Sequence, residues 1–108
     1  MEPIIIECKW IKRFNLPYQA IMLWPFIMLD RRTRRKTLIN HELIHFKQAE
    51  ELLIVPFYVI YILNYLINLI RFGNHSDAYL KVIFEIEACR YSHNLNYIKT
   101  RKPYAWLR

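Results

Sequence analysis

Between Glu51 and Arg71 the chain runs for 19 residues, Leu52 to Ile70, without a formal charge. This stretch restricts the fold more than any other, because it allows two incompatible layouts. As one straight helix it rises about 28 Å, enough to cross a bilayer. Everything before Glu51 is then separated from everything after Arg71 by a membrane's thickness. Alternatively the chain turns sharply at Pro56, since proline cannot continue a helix. The stretch then becomes the middle helix of a bundle. The choice turns on whether residues on its two sides have to meet.

One motif demands that they do. His41-Glu42-Leu43-Ile44-His45 reads HExxH. On a helix, positions four apart share a face, so His41 and His45 can grip one ion, with Glu42 beside them as a general base. Leu43 and Ile44 are apolar, as a half-buried helix needs. Catalytic zinc takes three protein ligands and keeps one position for water. The third donor must come from Glu85, Glu87, His75 or His93. Glu85 and Glu87 lie in the apolar run Phe84-Glu85-Ile86-Glu87-Ala88-Cys89, where an unpaired buried carboxylate is costly. Two apart, they point to opposite sides of a helix and cannot both bind one ion. Glu85 shares its side with Val82, Ala88 and Cys89, small enough to let another helix approach. Glu87 can pair with Arg90 or orient a ligand histidine from behind.

The spacing predicts a mainly α (α+β) single domain of three helices, with a short strand or hairpin before the HExxH helix. Residues 1–30 are β-prone: Ile4-Ile5-Ile6 is one short run, Asn15-Leu16-Pro17 reads as a turn, and strands fall near 19–24 and 26–29, or form one edge strand bent at Pro25. An edge strand beside a metal site can hold an extended peptide by strand addition. The helical core is 37–98. A first helix runs from Leu38 to about Val55, with Thr37 or Asn40 as N-cap. A second covers 57–72, with Asn64, Asn68 and three tyrosines on one stripe. Gly73 ends it, Ser76 or Asp77 caps the next, and a third helix covers about 78–97. The tail 99–108 is basic and docked by Tyr104 and Trp106. His45 and Glu85 are each seven residues in from Leu38 and Ala78. An up-down-up bundle therefore puts them level, and a His–His–Glu site favours a buried middle helix over a span.

HELIH followed by a downstream Glu-x-Glu-Ala resembles the gluzincin class of zinc metallopeptidases. That resemblance implies a zincin-like core, Zn2+ on His41, His45 and Glu85, and Glu42 as base for attack of water on a peptide carbonyl. Cys89 stands where the class commonly has an Asp that supports a histidine ligand. Most of the chain is also similar to small HExxH proteins of Bacteroidetes-type bacteria, through Leu23-Trp24-Pro25-Phe26, Asn40-His41-Glu42, Gln48, Pro56-Phe57-Tyr58 and Phe84-Glu85. Tyr91, His93 or His75 can serve as the transition-state donor.

Composition narrows the rest. A single glycine leaves no Gly-rich phosphate loop. The net charge of +7 is local, in Arg31, Arg32, Arg34, Arg35 and Lys36 and again in Lys99, Arg101, Lys102 and Arg108. Both clusters read as solvated, so the expected partner is a peptide or protein substrate, not nucleic acid. An anionic membrane surface also suits them. Cys8 and Cys89 make no disulfide framework, and the first residues lack a signal-peptide pattern. The expected location is cytoplasmic, with membrane association open. The alternative function is a metal-binding or membrane-associated protein of structural role.

Overall fold

The computed structural model describes residues 3–7, 20–29 and 36–107. Over these the chain is mainly helical with a small three-stranded sheet. It doubles back between its two longest helices, α1 (Lys36–Glu51) and α2 (Val55–Phe72). Pro56 is not the device. α1 closes on a Schellman motif: the Ile54 N–H donates to the Ala49 carbonyl at 2.7 Å and the Leu53 N–H to the Glu50 carbonyl at 3.3 Å. Leu53 takes the left-handed conformation, φ 59, that glycine normally supplies. Ile54, with φ 74 and ψ −70, makes a γ-turn in which the Val55 N–H reaches the Leu53 carbonyl at 2.9 Å. Pro56 sits in the first turn of α2, where its missing N–H costs nothing. The first helix therefore stops at Glu51, not Val55.

The middle helix is not the buried core helix that was expected. Only Phe57 and Asn68 of α2 are fully buried. The elements after it are short and cover one side alone. Gly73 does end α2, at φ 74, with its N–H on the Leu69 carbonyl. The next cap is Asn74 and neither Ser76 nor Asp77; its side chain accepts the Asp77 N–H at 2.9 Å. The expected third helix is three pieces, α3 (His75–Leu80), α4 (Ile83–Tyr91) and α5 (Tyr97–Thr100). α3 and α4 part at Val82, whose backbone is extended and whose side chain is buried.

Two asparagines then hold α4 at its ends. Asn64 from α2 accepts the Ile83 N–H at 2.8 Å. Asn40 from α1 donates to the carbonyls of Tyr91 at 3.2 Å, Ser92 at 2.8 Å and Asn94 at 3.0 Å. Each satisfies backbone groups that a helix end leaves unpaired. Asn40 is thus a buried cap for a distant helix and not the N-cap of α1, and Thr37 is the second residue of α1.

The expected hairpin is present as β2 (Ala20–Leu23) and β3 (Phe26–Leu29), antiparallel with Leu23 opposite Phe26. Trp24 and Pro25 form the turn, where a missing ladder donor does no harm. β1 (Ile4–Glu7) pairs parallel to β3, so the order is β1-β3-β2 and β2 is an edge strand, packed on α1. The Tyr58 hydroxyl accepts the Trp24 N–H at 2.8 Å and donates to the Met22 carbonyl at 3.2 Å, tying the hairpin to α2. Met22, Ile27, Phe46, Ala49, Phe57, Val82 and Phe84 make the core between sheet and helices. The tail docks on it, with Trp106 at 5.0 Å from the Phe84 ring and the Tyr104 N–H on the Glu51 carboxylate. The expected turn at 15–17, Cys8, the basic run 31–35 and Arg108 lie outside the described residues.

Candidate metal centre

One helical turn on α1 brings His41 and His45 side by side, their rings 4.8 Å apart and edge to face. α4 delivers Glu85 onto both. Glu85 Oε1 lies 3.0 Å from His41 Nε2 and 2.9 Å from His45 Nε2, and the two Nε2 atoms are 3.2 Å apart. All three side chains are buried. Among the described residues these three form the cluster whose donor atoms could share an ion. The donor set fits one: ligand atoms around a tetrahedral zinc stand about 3.3 Å apart when each bond is about 2.0–2.1 Å.

The hydrogen bonds behind His45 say which of its nitrogens is free. Gln48 is fully buried. Its Nε2 spends both hydrogens, on the Phe84 carbonyl at 3.0 Å and on Glu87 Oε1 at 2.9 Å. Its Oε1 therefore faces His45 Nδ1 at 2.8 Å, and that ring nitrogen is the donor. Neutral His45 then carries its lone pair on Nε2, aimed at a carboxylate oxygen 2.9 Å away. Two acceptors so close need a positive charge between them, either a proton or a metal ion.

Electrostatics agree. Burial alone would lower the His41 pKa, but the Cys89 side chain, then the Glu85 and Glu42 carboxylates, outweigh it and raise it to about 10. His45 is raised too, the Glu85 charge overcoming burial. Glu85 is held well below the usual carboxylate range; burial would raise it, and the histidines more than offset that. Its place in the first turn of α4 adds the helix dipole. The Tyr61 hydroxyl donates to Glu85 Oε2, leaving Oε1 for the histidines. Tyr79 joins the same group. Burial first, and then the Glu85 charge, push both phenols up, so they stay protonated donors.

Glu42 is buried next to the cluster and makes no hydrogen bond among the described residues. Burial pushes its pKa up against the pull of His45 and His41. That is the tuning a general base at neutral pH requires.

The other candidates fall elsewhere. Glu87 is buried on the opposite flank of α4 and, among the described residues, is not part of the His41–His45–Glu85 cluster. It does stand behind His45, through Gln48. Its charge partner is not Arg90 but Arg101, whose Nε lies 2.6 Å away. The Tyr97 hydroxyl also donates to it, at 2.7 Å. Arg101 continues to Glu51 at 2.7 Å, so this tail cation is docked and not solvated. Cys89 sits against His41. His75 is exposed and pairs with Tyr65 at 2.6 Å, and His93 is exposed. Tyr91 stacks on Tyr97 at 4.0 Å. None of these three reaches the cluster; Tyr61 and Tyr79 are the hydroxyls that do. The tyrosine stripe of α2 at helical spacing was the signal for Tyr61; Tyr79, on α3, had none in the sequence. A cavity of about 290 Å³, lined by Ile86, Arg90, Tyr97, Lys102 and Trp106 among others, opens on the Glu87 flank, away from the histidines.

No family model, curated protein or solved structure matches the chain.

Proposed function

We propose that the chain is a small zinc-dependent peptidase, with His41, His45 and Glu85 holding the ion and Glu42 as general base. One observation carries the reading: two imidazole nitrogens and a carboxylate oxygen converge within 3.2 Å of one another in a buried site, beside a second buried carboxylate that has no hydrogen bond among the described residues. Two imidazoles and a carboxylate suit zinc better than magnesium or calcium, which prefer all-oxygen sites. A zinc ion held there supplies a Lewis acid for a substrate carbonyl and acidifies a water molecule.

The chain's own residues do the rest. Glu42 would take a proton from the attacking water and pass it to the leaving amine. Gln48 fixes the His45 tautomer, and Tyr61 fixes the Glu85 carboxylate. Tyr79, a protonated hydroxyl at the same place, is the donor best sited to stabilise developing negative charge. The β2 edge, lying on α1, can align an extended peptide by strand addition. The test is Glu42→Gln in zinc-loaded protein against a peptide library. The expected result is unchanged zinc content with hydrolysis reduced about 10²–10⁴-fold. If the zinc-loaded wild type hydrolyses nothing, the centre is a binding site without turnover.

A further inference from the structure

We infer that α2 is a lipid-binding element, and that the protein lies on a bilayer with the outer face of this helix among the acyl chains. The inference does not depend on the metal.

α2 is amphipathic in the reverse sense. Every side chain with a hydrogen-bonding group between Val55 and Ile70 faces the protein and is bonded there. Tyr58 holds the hairpin, Tyr61 holds Glu85, Asn64 caps α4, Tyr65 meets His75, and Asn68 donates to the Ala78 carbonyl at 3.1 Å. The outward residues are the apolar ones: Val55, Val59, Ile62, Leu63, Leu66, Ile67 and Ile70. Ile70 is 86% exposed, and Leu53, held left-handed at the tip of the preceding turn, is 80% exposed. A monomer in water rarely leaves so continuous an apolar face uncovered.

The chemistry of the face chooses the occupant. Protein–protein interfaces carry about one hydrogen bond per 100–200 Å² and keep a polar rim. From Val55 to Ile70 this face offers no donor or acceptor side chain, over about 24 Å for 16 residues. Hydrocarbon is the environment that asks for none. At the end of the stripe Arg71 and Lys81 flank the Phe72 ring, at 5.4 Å and 5.8 Å from its centroid. Cations gathered round an aromatic ring suit the level of anionic headgroups. α2 is long and apolar enough to cross a membrane. However, its inner face is bonded to α3, α4 and the hairpin, and a crossing would carry the exposed His75 of α3, bonded to Tyr65 partway along α2, into the hydrocarbon. Lying in the interface satisfies both faces.

The test is flotation of the full chain with vesicles of phosphatidylcholine alone and of phosphatidylcholine mixed with phosphatidylglycerol. Wild type is expected to float with both, and more with the anionic mixture. Ile62→Gln with Leu66→Gln, at exposed sites and with a good helix former, is expected to weaken partition about tenfold or more on both, with the circular dichroism of wild type. Arg71→Gln with Lys81→Gln is expected to remove only the anionic preference. Should the first pair fail to fold, Ile70→Trp is read instead, and quenching of its fluorescence by brominated acyl chains is expected. No flotation, binding indifferent to the Gln pair, a Trp that brominated chains leave unquenched, or a lipid-free dimer that the Gln pair dissociates would each overturn the inference. The last would make the occupant a second copy.

Discussion

Gln48→Leu tests how the ion site is aimed. Leucine nearly matches the volume of this fully buried side chain, so packing changes little. Three hydrogen bonds are lost, but their partners are not equally harmed. The Phe84 carbonyl lies within α4, and Glu87 keeps Arg101 and Tyr97. The His45 Nδ1–H keeps nothing. A buried donor without a partner costs about 1–3 kcal/mol. The ring escapes that cost by moving its proton to Nε2, which removes the lone pair the ion needs. Either response weakens metal binding, and loss of such an orienting bond typically costs about 10–100-fold, or about 1.4–2.7 kcal/mol. Competition for zinc against a chromophoric chelator at fixed pH reads the change, with circular dichroism to confirm the fold. Gln48→Glu keeps the acceptor for His45 but sets a carboxylate against Glu87; it should hold metal better than the leucine variant while being less stable than wild type. If the leucine variant binds zinc within about twofold of wild type, Gln48 does not orient His45 and the tautomer argument is wrong.

Other outcomes follow from the same contacts. Asn40→Ala strips three carbonyls at the end of α4 of a buried donor and should lower stability by about 1–3 kcal/mol in urea titration, with metal affinity falling because Glu85 loses its anchorage. An effect no larger than that of an average surface alanine would remove Asn40 from the account. The raised His41 pKa implies a pH dependence. Metal-free protein binds a proton at His41 more tightly folded than unfolded, so that contribution is complete below pH 6.5 and is lost as pH rises towards about 10. Metal must displace the same proton, so zinc should stabilise increasingly over the same window. Melting curves with chelator and with zinc check both, and a chelated protein whose Tm is flat across that range contradicts the first. Leu53→Gly relieves a left-handed leucine and should leave stability within about 1 kcal/mol of wild type, whereas Leu53→Val, β-branched at the same φ, should destabilise by more.

The site was more legible than its supports. His41, Glu42 and His45 are fixed by spacing alone, because a helix makes a four-residue interval into a shared face. Glu85 was legible because a carboxylate in an apolar run needs a partner. The reversal was legible as a need, but not as a mechanism: it runs through left-handed Leu53 and Ile54, residues whose type gives no warning of positive φ, while Pro56 merely starts the next helix. Asn40 looked like a local cap because asparagine favours helix starts; its actual work is long-range, and only tertiary contact shows that. Arg101 looked like a solvated tail cation, since nothing local reveals that Glu87 and Glu51 meet it. The burial of α2 was misjudged for a related reason. Apolarity alone suggests a core helix, but the chain after Gly73 is too short and too broken to cover both sides of an 18-residue helix.

The central claim is a metal ion shared by α1 and α4, and X-ray absorption at the zinc edge of purified protein tests it most directly. The account requires stoichiometric zinc with two imidazoles and a carboxylate oxygen in its coordination shell, at about 2.0–2.1 Å, and loss of that signal in both His41→Ala and Glu85→Gln. Protein that folds without stoichiometric metal, or zinc that survives Glu85→Gln with its shell unchanged, would contradict it.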